Sequence, residues 1–247
     1  MAEPRSVSLP PVIGHRGAAA RAPENTLAGL RKAAEIGVAW IEIDARLARD
    51  GDVVVFHDAD LKRIAGRHGR VGETPLAELA GLDAGRHFGP AFAGETIPTL
   101  AALLGLATWL GLRVNVEFKT DPGREAELVR NALAVIAAKA RPGSILVSSF
   151  DAVGLAAAAR LEPALPRGLI VDRAEGAQDL AAKLGCVSIH LNQRWLDPGS
   201  VRRLKDSGLQ VAAFTVNDPA RARVLWDWGV DAVFSDVPDV LLAVRRN

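Results

Sequence analysis

The chain is short of several things, and each shortage excludes something. Its 247 residues include one cysteine, Cys186, so no intramolecular disulfide can brace the fold. Cys186 opens the apolar stretch Cys186-Val187-Ser188-Ile189 and reads as a buried small hydrophobe. Excess charge of one sign is also missing, with 30 Lys and Arg against 29 Asp and Glu. A polyanion-binding surface is therefore not expected, no nucleic-acid partner is implied, and pairs such as Arg202-Arg203 read as solvated helix faces. No stretch approaches the roughly 18 uninterrupted apolar residues of a membrane span. The opening Met1-Ala2-Glu3-Pro4-Arg5 lacks the basic-then-apolar order of a secretory signal. The expectation is a cytoplasmic protein with no stable membrane anchor. No Gly-x-Gly-x-x-Gly follows a strand, which weakens a dinucleotide-binding reading.

What is present is the balance of an ordinary globular protein, 49% apolar and 24% charged, long enough to bury a sizeable core. Short apolar runs alternate with amphipathic helical stretches from one end to the other. Strands are predicted at 12–15, 38–44, 53–56, 112–118, 144–147, 168–171, 187–191, 209–214 and 232–234. Helices are predicted at 24–36, 124–140, 152–161, 175–184, 198–207, 218–228 and 237–246. This alternation predicts a parallel sheet with helical crossovers. About eight such units in this length suit a TIM-type (β/α)8 barrel of one domain, residues 1–247. Nine strands are one too many. Arg49-Asp50-Gly51-Asp52 makes the connection between the second and third too short for a parallel crossover, so one of that pair is expected to lie antiparallel or partly outside the barrel. Residues 59–97 break the rhythm, being rich in Gly, Arg and His with weak helical signal at 75–82. They read as an insertion near the active-site face, shaping the substrate site.

Strand side chains alternate, and this concentrates chemistry at the strand ends. Glu42 and Asp44 share one face, opposite Ile41 and Ile43; Glu117 and Lys119 share another, opposite Val116 and Phe118. With the apolar set against the outer helices, three acids and a lysine converge near the barrel axis. Unpaired carboxylates there would resist ionisation, whereas a hard divalent cation bound by oxygens resolves the conflict. His15 and His57 each end a strand of the same expected face. A histidine pair can serve as base and acid near neutral pH, and Arg16 and Lys119 can hold a phosphate. His190 shares a face with Ser188 and is expected to look into the barrel mouth. Trp195 lies just beyond as a candidate pocket wall.

Taken in order, His15-Arg16-Gly17, Glu24-Asn25-Thr26, Glu42-x-Asp44, His57-Asp58, Glu95-Thr96-Ile97-Pro98-Thr99-Leu100, Glu117-x-Lys119, Thr215-Val216-Asn217 and Ser235-Asp236-x-Pro238 resemble the glycerophosphodiester phosphodiesterase family. Any one piece is weak; the ordered set, from about residue 12 to 240, is highly specific. The resemblance implies a metal-dependent barrel enzyme that splits a small-molecule glycerophosphodiester into glycerol 3-phosphate and an alcohol. By position it implies Glu42, Asp44 and Glu117 as metal ligands for Mg²⁺ or Ca²⁺, and His15 and His57 as the acid-base pair. Arg16 and Lys119 then bind phosphate, and attack by the neighbouring glycerol hydroxyl passes through a cyclic phosphate. Phe214 stands where the family often has Trp against the glycerol; it keeps the apolar face and loses the indole N–H. Ser235 stands where Thr is common. Two alternatives are a lysophospholipase D-like enzyme with an apolar entrance from Phe88, Phe92 and Trp195, and a barrel that binds without turnover. Oligomeric state is not set by the sequence.

Overall fold

The computed structural model describes residues 7–246; Met1 to Arg5, read above as no secretory signal, and Asn247 lie outside the described residues. Nine strands occur among the described residues: β1 (Val12–Gly14), β2 (Trp40–Leu47), β3 (Val53–Val55), β4 (Arg113–Phe118), β5 (Ile145–Ser149), β6 (Arg167–Val171), β7 (Ser188–Asn192), β8 (Gln210–Phe214) and β9 (Ala232–Ser235). All but β3 pair in parallel in the order β1-β9-β8-β7-β6-β5-β4-β2, and pairing of Gly14 with Ile41 joins β1 to β2 and closes the ring. The fold is a (β/α)8 barrel. The ninth strand is β3, antiparallel to the upper end of β2 with Ala45 opposite Val55. Its short connection turns at Gly51, where φ is 92° and glycine carries no Cβ penalty.

The helices are α1 (Leu27–Ile36), α2 (Lys62–Ala65), α3 (Leu76–Leu79), α4 (Leu100–Trp109), α5 (Glu125–Lys139), α6 (Ala152–Leu161), α7 (Ala177–Lys183), α8 (Pro198–Asp206), α9 (Pro219–Asp227) and α10 (Pro238–Arg246). Their starts follow from capping chemistry. Thr26 Oγ1 accepts from Gly29 N at 3.1 Å, so α1 begins three residues later than the periodicity predicts and leaves Glu24 and Asn25 in the loop. Asp197 and Asp218 cap α8 and α9, each with proline at the first helical position. Helix α4 has no counterpart in the predicted elements. Arg202 and Arg203 are solvated on α8, and Cys186 is buried, as expected.

Alternate positions along each strand separate into two environments. Ile41, Ile43, Val114 and Val116 pack outward on α1, α4 and α5, whereas Ile13, Trp40, Leu146, Ala212, Ala232 and Phe234 fill the barrel interior. Val7 and Leu9 close the interior from the N-terminal side, held there by the Gln210 side chain, which accepts from Leu9 N at 2.9 Å. The opposite, C-terminal ends of the strands are left for the chemistry. The insertion packs beside β3 on a small core of its own, in which Leu61, Ile64, Val71, Leu79 and Ile97 lie with Val54 and Phe56. Among the described residues no helix is long and apolar enough to cross a membrane.

Candidate active site

The loop after β1 is built by a close backbone approach. A Cβ on Gly14 would lie 2.0 Å from the Gly17 carbonyl oxygen, so only glycine fits. The tightness places Arg16 in the left-handed region at φ 50°, a conformation non-glycine residues adopt at a cost of about 1–3 kcal/mol. Its amide donates to Glu42 Oε2 at 3.0 Å, which offsets part of that cost. Asn25, also left-handed at φ 58°, donates from Nδ2 to Asp44 Oδ2 at 2.7 Å and accepts from Asp44 N at 3.2 Å. Two strained loop residues thus fix two of the acids. Gly14→Ala should push the turn apart and lower kcat/KM by about 10²-fold, the scale of a 1 Å misplacement; a variant within twofold of the parent would show that the turn tolerates the shift.

Glu42, Asp44 and Glu117 each place a carboxylate oxygen within 4.8 Å of the others, all three buried. Register explains the convergence, because Asp44 and Glu117 are direct neighbours across β2 and β4. Burial, reinforced by Asp44 and by Glu117, pushes the Glu42 carboxyl well above its usual range. Burial and then Asp44 raise Glu117 to about 7, against Lys119 and Arg16. Asp44 goes the other way. Burial opposes its charge, but Lys119 at 3.3 Å and Arg16 at 3.4 Å pull it down to about 2. Lys119 also pairs with Glu117. Were all three acids ionised, Arg16 and Lys119 would leave one negative charge uncompensated, and Glu42 Oε1 has no protein partner. The donor set is all oxygen, and it fits a hard divalent cation.

Both histidines have a carboxylate behind them. His15 Nδ1 lies 2.6 Å from Asp236 Oδ1, and His57 Nδ1 lies 2.7 Å from Asp58 Oδ1. An ionised carboxylate only accepts, so each Nδ1 carries the hydrogen and each Nε2 is free for proton transfer. Asn217 steadies Asp236 through Nδ2 at 2.7 Å, and Arg46 Nε donates to the His57 carbonyl at 2.9 Å. Burial, helped by Arg16 and Lys119, outweighs Asp44 and Asp58 and lowers the His57 pKa. His57 is therefore neutral near pH 7.

The cavity between these groups measures about 200 Å³ and is lined by His15, Arg16, His57, Lys119, His190 and Phe214 among others. The sequence places every one of those six in the site. His190 leans over Gly168, where a Cβ would sit 2.7 Å from its ring, and shares a 3.1 Å hydrogen bond with Ser188. Burial lowers its pKa to about 3, so it faces the cavity as a neutral ring. Trp195 does not line the cavity: it is half exposed, with the Arg173 guanidinium 4.0 Å from its ring. Phe88 and Phe92 likewise pack on each other at 5.3 Å, away from the lining. The apolar wall is instead Phe214 with Phe150, edge to face at 5.9 Å. The sequence reading missed Phe150; the signal that could have found it is its place in the Leu146, Ser148 alternation of β5. The partners Asp58 and Asp236 sit inside recognised motifs without a role attached; Asn25 reads from the sequence as a residue that fixes the first loop, and nothing there pairs it with Asp44 or the two aspartates with their histidines.

The fold and the mouth together define a (β/α)8-barrel enzyme arranged for an anionic ester of phosphate. The family model of the glycerophosphoryl diester phosphodiesterases matches residues 15–240, nearly the whole chain. The chain belongs to the glycerophosphoryl diester phosphodiesterase family. It is 32% identical to a glycerophosphodiester phosphodiesterase of Caldanaerobacter subterraneus subsp. tengcongensis over 96% of this chain and 98% of that one. It is 28% identical to a glycerophosphodiester phosphodiesterase of Bacillus subtilis, over 95% of this chain and 86% of that protein. A phosphodiesterase of Oleispira antarctica, solved with its product sn-glycerol-3-phosphate, superposes with a TM-score of 0.95 at 38% identity, covering 97% of this chain and 98% of that one. This chain is accordingly an enzyme of the glycerophosphodiester phosphodiesterase class, and the reaction class is hydrolysis of glycerophosphodiesters.

Proposed function

We propose that the enzyme releases glycerol 3-phosphate and an alcohol from small glycerophosphodiesters, with a divalent cation, Mg²⁺ or Ca²⁺, held by Glu42, Asp44 and Glu117. The observation that carries this reading is the buried acid triad, with oxygens within 4.8 Å of one another and the Glu42 and Glu117 carboxyls pushed up by burial and by their acidic neighbours, a conflict that a shared cation relieves. Bound there, such an ion supplies polarisation of a phosphoryl oxygen and neutralisation of developing charge. The product found in the Oleispira antarctica structure supports the same substrate class.

The chain's own groups do the rest. Arg16 and Lys119 hold the phosphate anion against the triad, Arg through its fork and Lys as a point charge. Phe214 and Phe150 offer an apolar wall to the carbon skeleton, and neutral His190 offers a hydrogen bond and no charge. One histidine Nε2 takes the proton of the neighbouring glycerol hydroxyl as it attacks phosphorus, giving a cyclic phosphate. The other donates a proton to the departing alcohol oxygen; water then opens the ring with the roles exchanged. The test is coupled detection of glycerol 3-phosphate from glycerophosphocholine and glycerophosphoethanolamine, with chelator and then with Mg²⁺, Ca²⁺ or Mn²⁺. Release should need metal; no release with any metal on either headgroup would refute the reading.

Lys119→Met separates phosphate binding from metal binding. Removing an oriented charge of this kind should lower kcat/KM by about 10²–10³-fold. Metal affinity measured by calorimetry should hold or rise, because Lys119 competes for Asp44 and Glu117. Loss of metal binding in that variant would instead make Lys119 part of the metal site's support.

A further inference from the structure

We infer that Arg63, on the first helix of the insertion, is a positioning residue that holds the His57 dyad and Arg16 in register with each other. The inference rests on the roles of His57 and Arg16 given above. Its guanidinium bridges two carboxylates with a fork to each. Nε and Nη2 donate to Asp58 Oδ2 and Oδ1 at 2.7 and 3.0 Å, while Nη1 and Nη2 donate to Glu24 Oε2 and Oε1 at 2.7 and 2.8 Å. Each carboxylate then reaches the site by a second bond. Asp58 Oδ1 accepts from His57 Nδ1 at 2.7 Å, and Glu24 Oε1 accepts from Arg16 Nη1 at 2.8 Å. The result is one continuous chain, His57–Asp58–Arg63–Glu24–Arg16, whose middle member belongs to the insertion.

Two physical arguments separate this from an ordinary surface ion pair, which is worth little. Asp58 and Glu24 are the less exposed members, at 19% and 14% against 46% for Arg63, so the weakly solvated acids depend on the guanidinium for neutralisation. Without it, two carboxylates aimed at one point would repel, and each would be free to turn away from its own active-site partner. The segment that carries Arg63 is also anchored, because Leu61 and Ile64 beside it in the chain are buried in the insertion's core. Side-chain packing in 59–97 is thereby connected to the geometry of proton transfer and phosphate binding. No residue of 59–97 lines the cavity, so the insertion acts on the site through this chain of contacts and not as a wall.

The arms can be read separately in the metal-loaded enzyme with glycerophosphocholine. Arg63→Met should lower kcat by about 10–10²-fold, the scale of slight misplacement of catalytic groups, and raise KM as well. Asp58→Asn should reproduce chiefly the kcat loss and Glu24→Gln chiefly the KM rise. Arg63→Met added to Asp58→Asn should cost little further kcat, since both break one chain. Methylguanidinium should restore part of the Arg63→Ala rate. If Arg63→Met does not fold, Arg63→Lys carries the test: it keeps the charge but cannot fork both carboxylates, and should still lose kcat and KM together. Parent-like kinetics in Arg63→Met or Arg63→Lys, or fully additive losses with Asp58→Asn, would overturn the inference. A parent enzyme that releases no glycerol 3-phosphate would strike the proposed reaction itself, a distinguishable failure.

Discussion

Replacing either His15 or His57 with glutamine is expected to cut turnover by about 10²–10⁴-fold, the usual contribution of a positioned acid or base. The double variant should fall well short of the product of the two losses, because paired groups act as a unit. Metal affinity should barely move: the structure places the histidines beside the acid triad, each tied through Nδ1 to its own carboxylate. The decisive measurement uses a phosphodiester with an activated leaving group, which needs little protonation. One variant should recover most of its rate on that substrate, and that histidine is the acid; the other should not recover. Equal losses on both substrates in both variants would mean that His15 and His57 bind phosphate and move no proton. Asp236→Asn adds a structural check. An amide can donate to Nδ1 and turn the hydrogen to Nε2, so a large loss with unchanged fold would confirm that Asp236 sets the tautomer.

The barrel was legible because its strands and helices are short and differently patterned, and the surplus strand betrayed itself by a connection too short to cross over. Helix α4 was not legible for a physical reason. Leu100 to Trp109 is apolar almost throughout, so its buried face of Leu100, Leu103, Leu104 and Ala107 has no polar face to stand against. The signal that remained was Thr99, whose Oγ1 caps the helix by accepting from Ala102 N at 3.1 Å. For the start of α1, periodicity overran the true boundary at Glu24, where the cap at Thr26 decides.

At the site, whatever lies at a strand end was readable by alternation: Glu42 and Asp44 on β2, Glu117 and Lys119 at the end of β4, His190 on β7. Contacts made between loops were not. Asp236 is 221 residues from His15, Arg63 is 39 from Glu24, and Asn25 is 19 from Asp44. No local period encodes such pairings; they exist only because the barrel brings eight strand ends to one mouth. Trp195 illustrates the opposite error. Its place after β7 suggested a wall, but the connecting 3-10 turn from Gln193 to Trp195 carries it outward beneath Arg173.

Removal of the divalent cation should abolish release of glycerol 3-phosphate, and Glu42→Gln should leave a rate that added metal partly restores. Substitution of outer groups around metals commonly costs about 10–100-fold in affinity, so loss of a ligand should meet or exceed that. The protonation of the triad adds a signature that activity alone does not give. In the metal-free protein Glu117 holds its proton up to about pH 7, whereas in the unfolded chain it releases it near 4.5, and Glu42 is shifted in the same direction. A raised carboxyl pKa favours the folded state below the unfolded value, and that contribution is lost as pH rises through the folded value. Asp44 behaves oppositely, its contribution being lost only as pH falls towards about 2. Between roughly pH 5 and pH 8 the chelated protein should therefore lose stability from this cluster as pH rises. Metal competes with protons for the same oxygens, so its stabilising shift in Tm should grow over the same window. In Glu42→Gln both the pH slope of the chelated protein and the metal shift should shrink. A metal-induced Tm shift identical at both ends of the window, or a Glu42→Gln enzyme with the parent's metal dependence, would remove Glu42 from the ligand set.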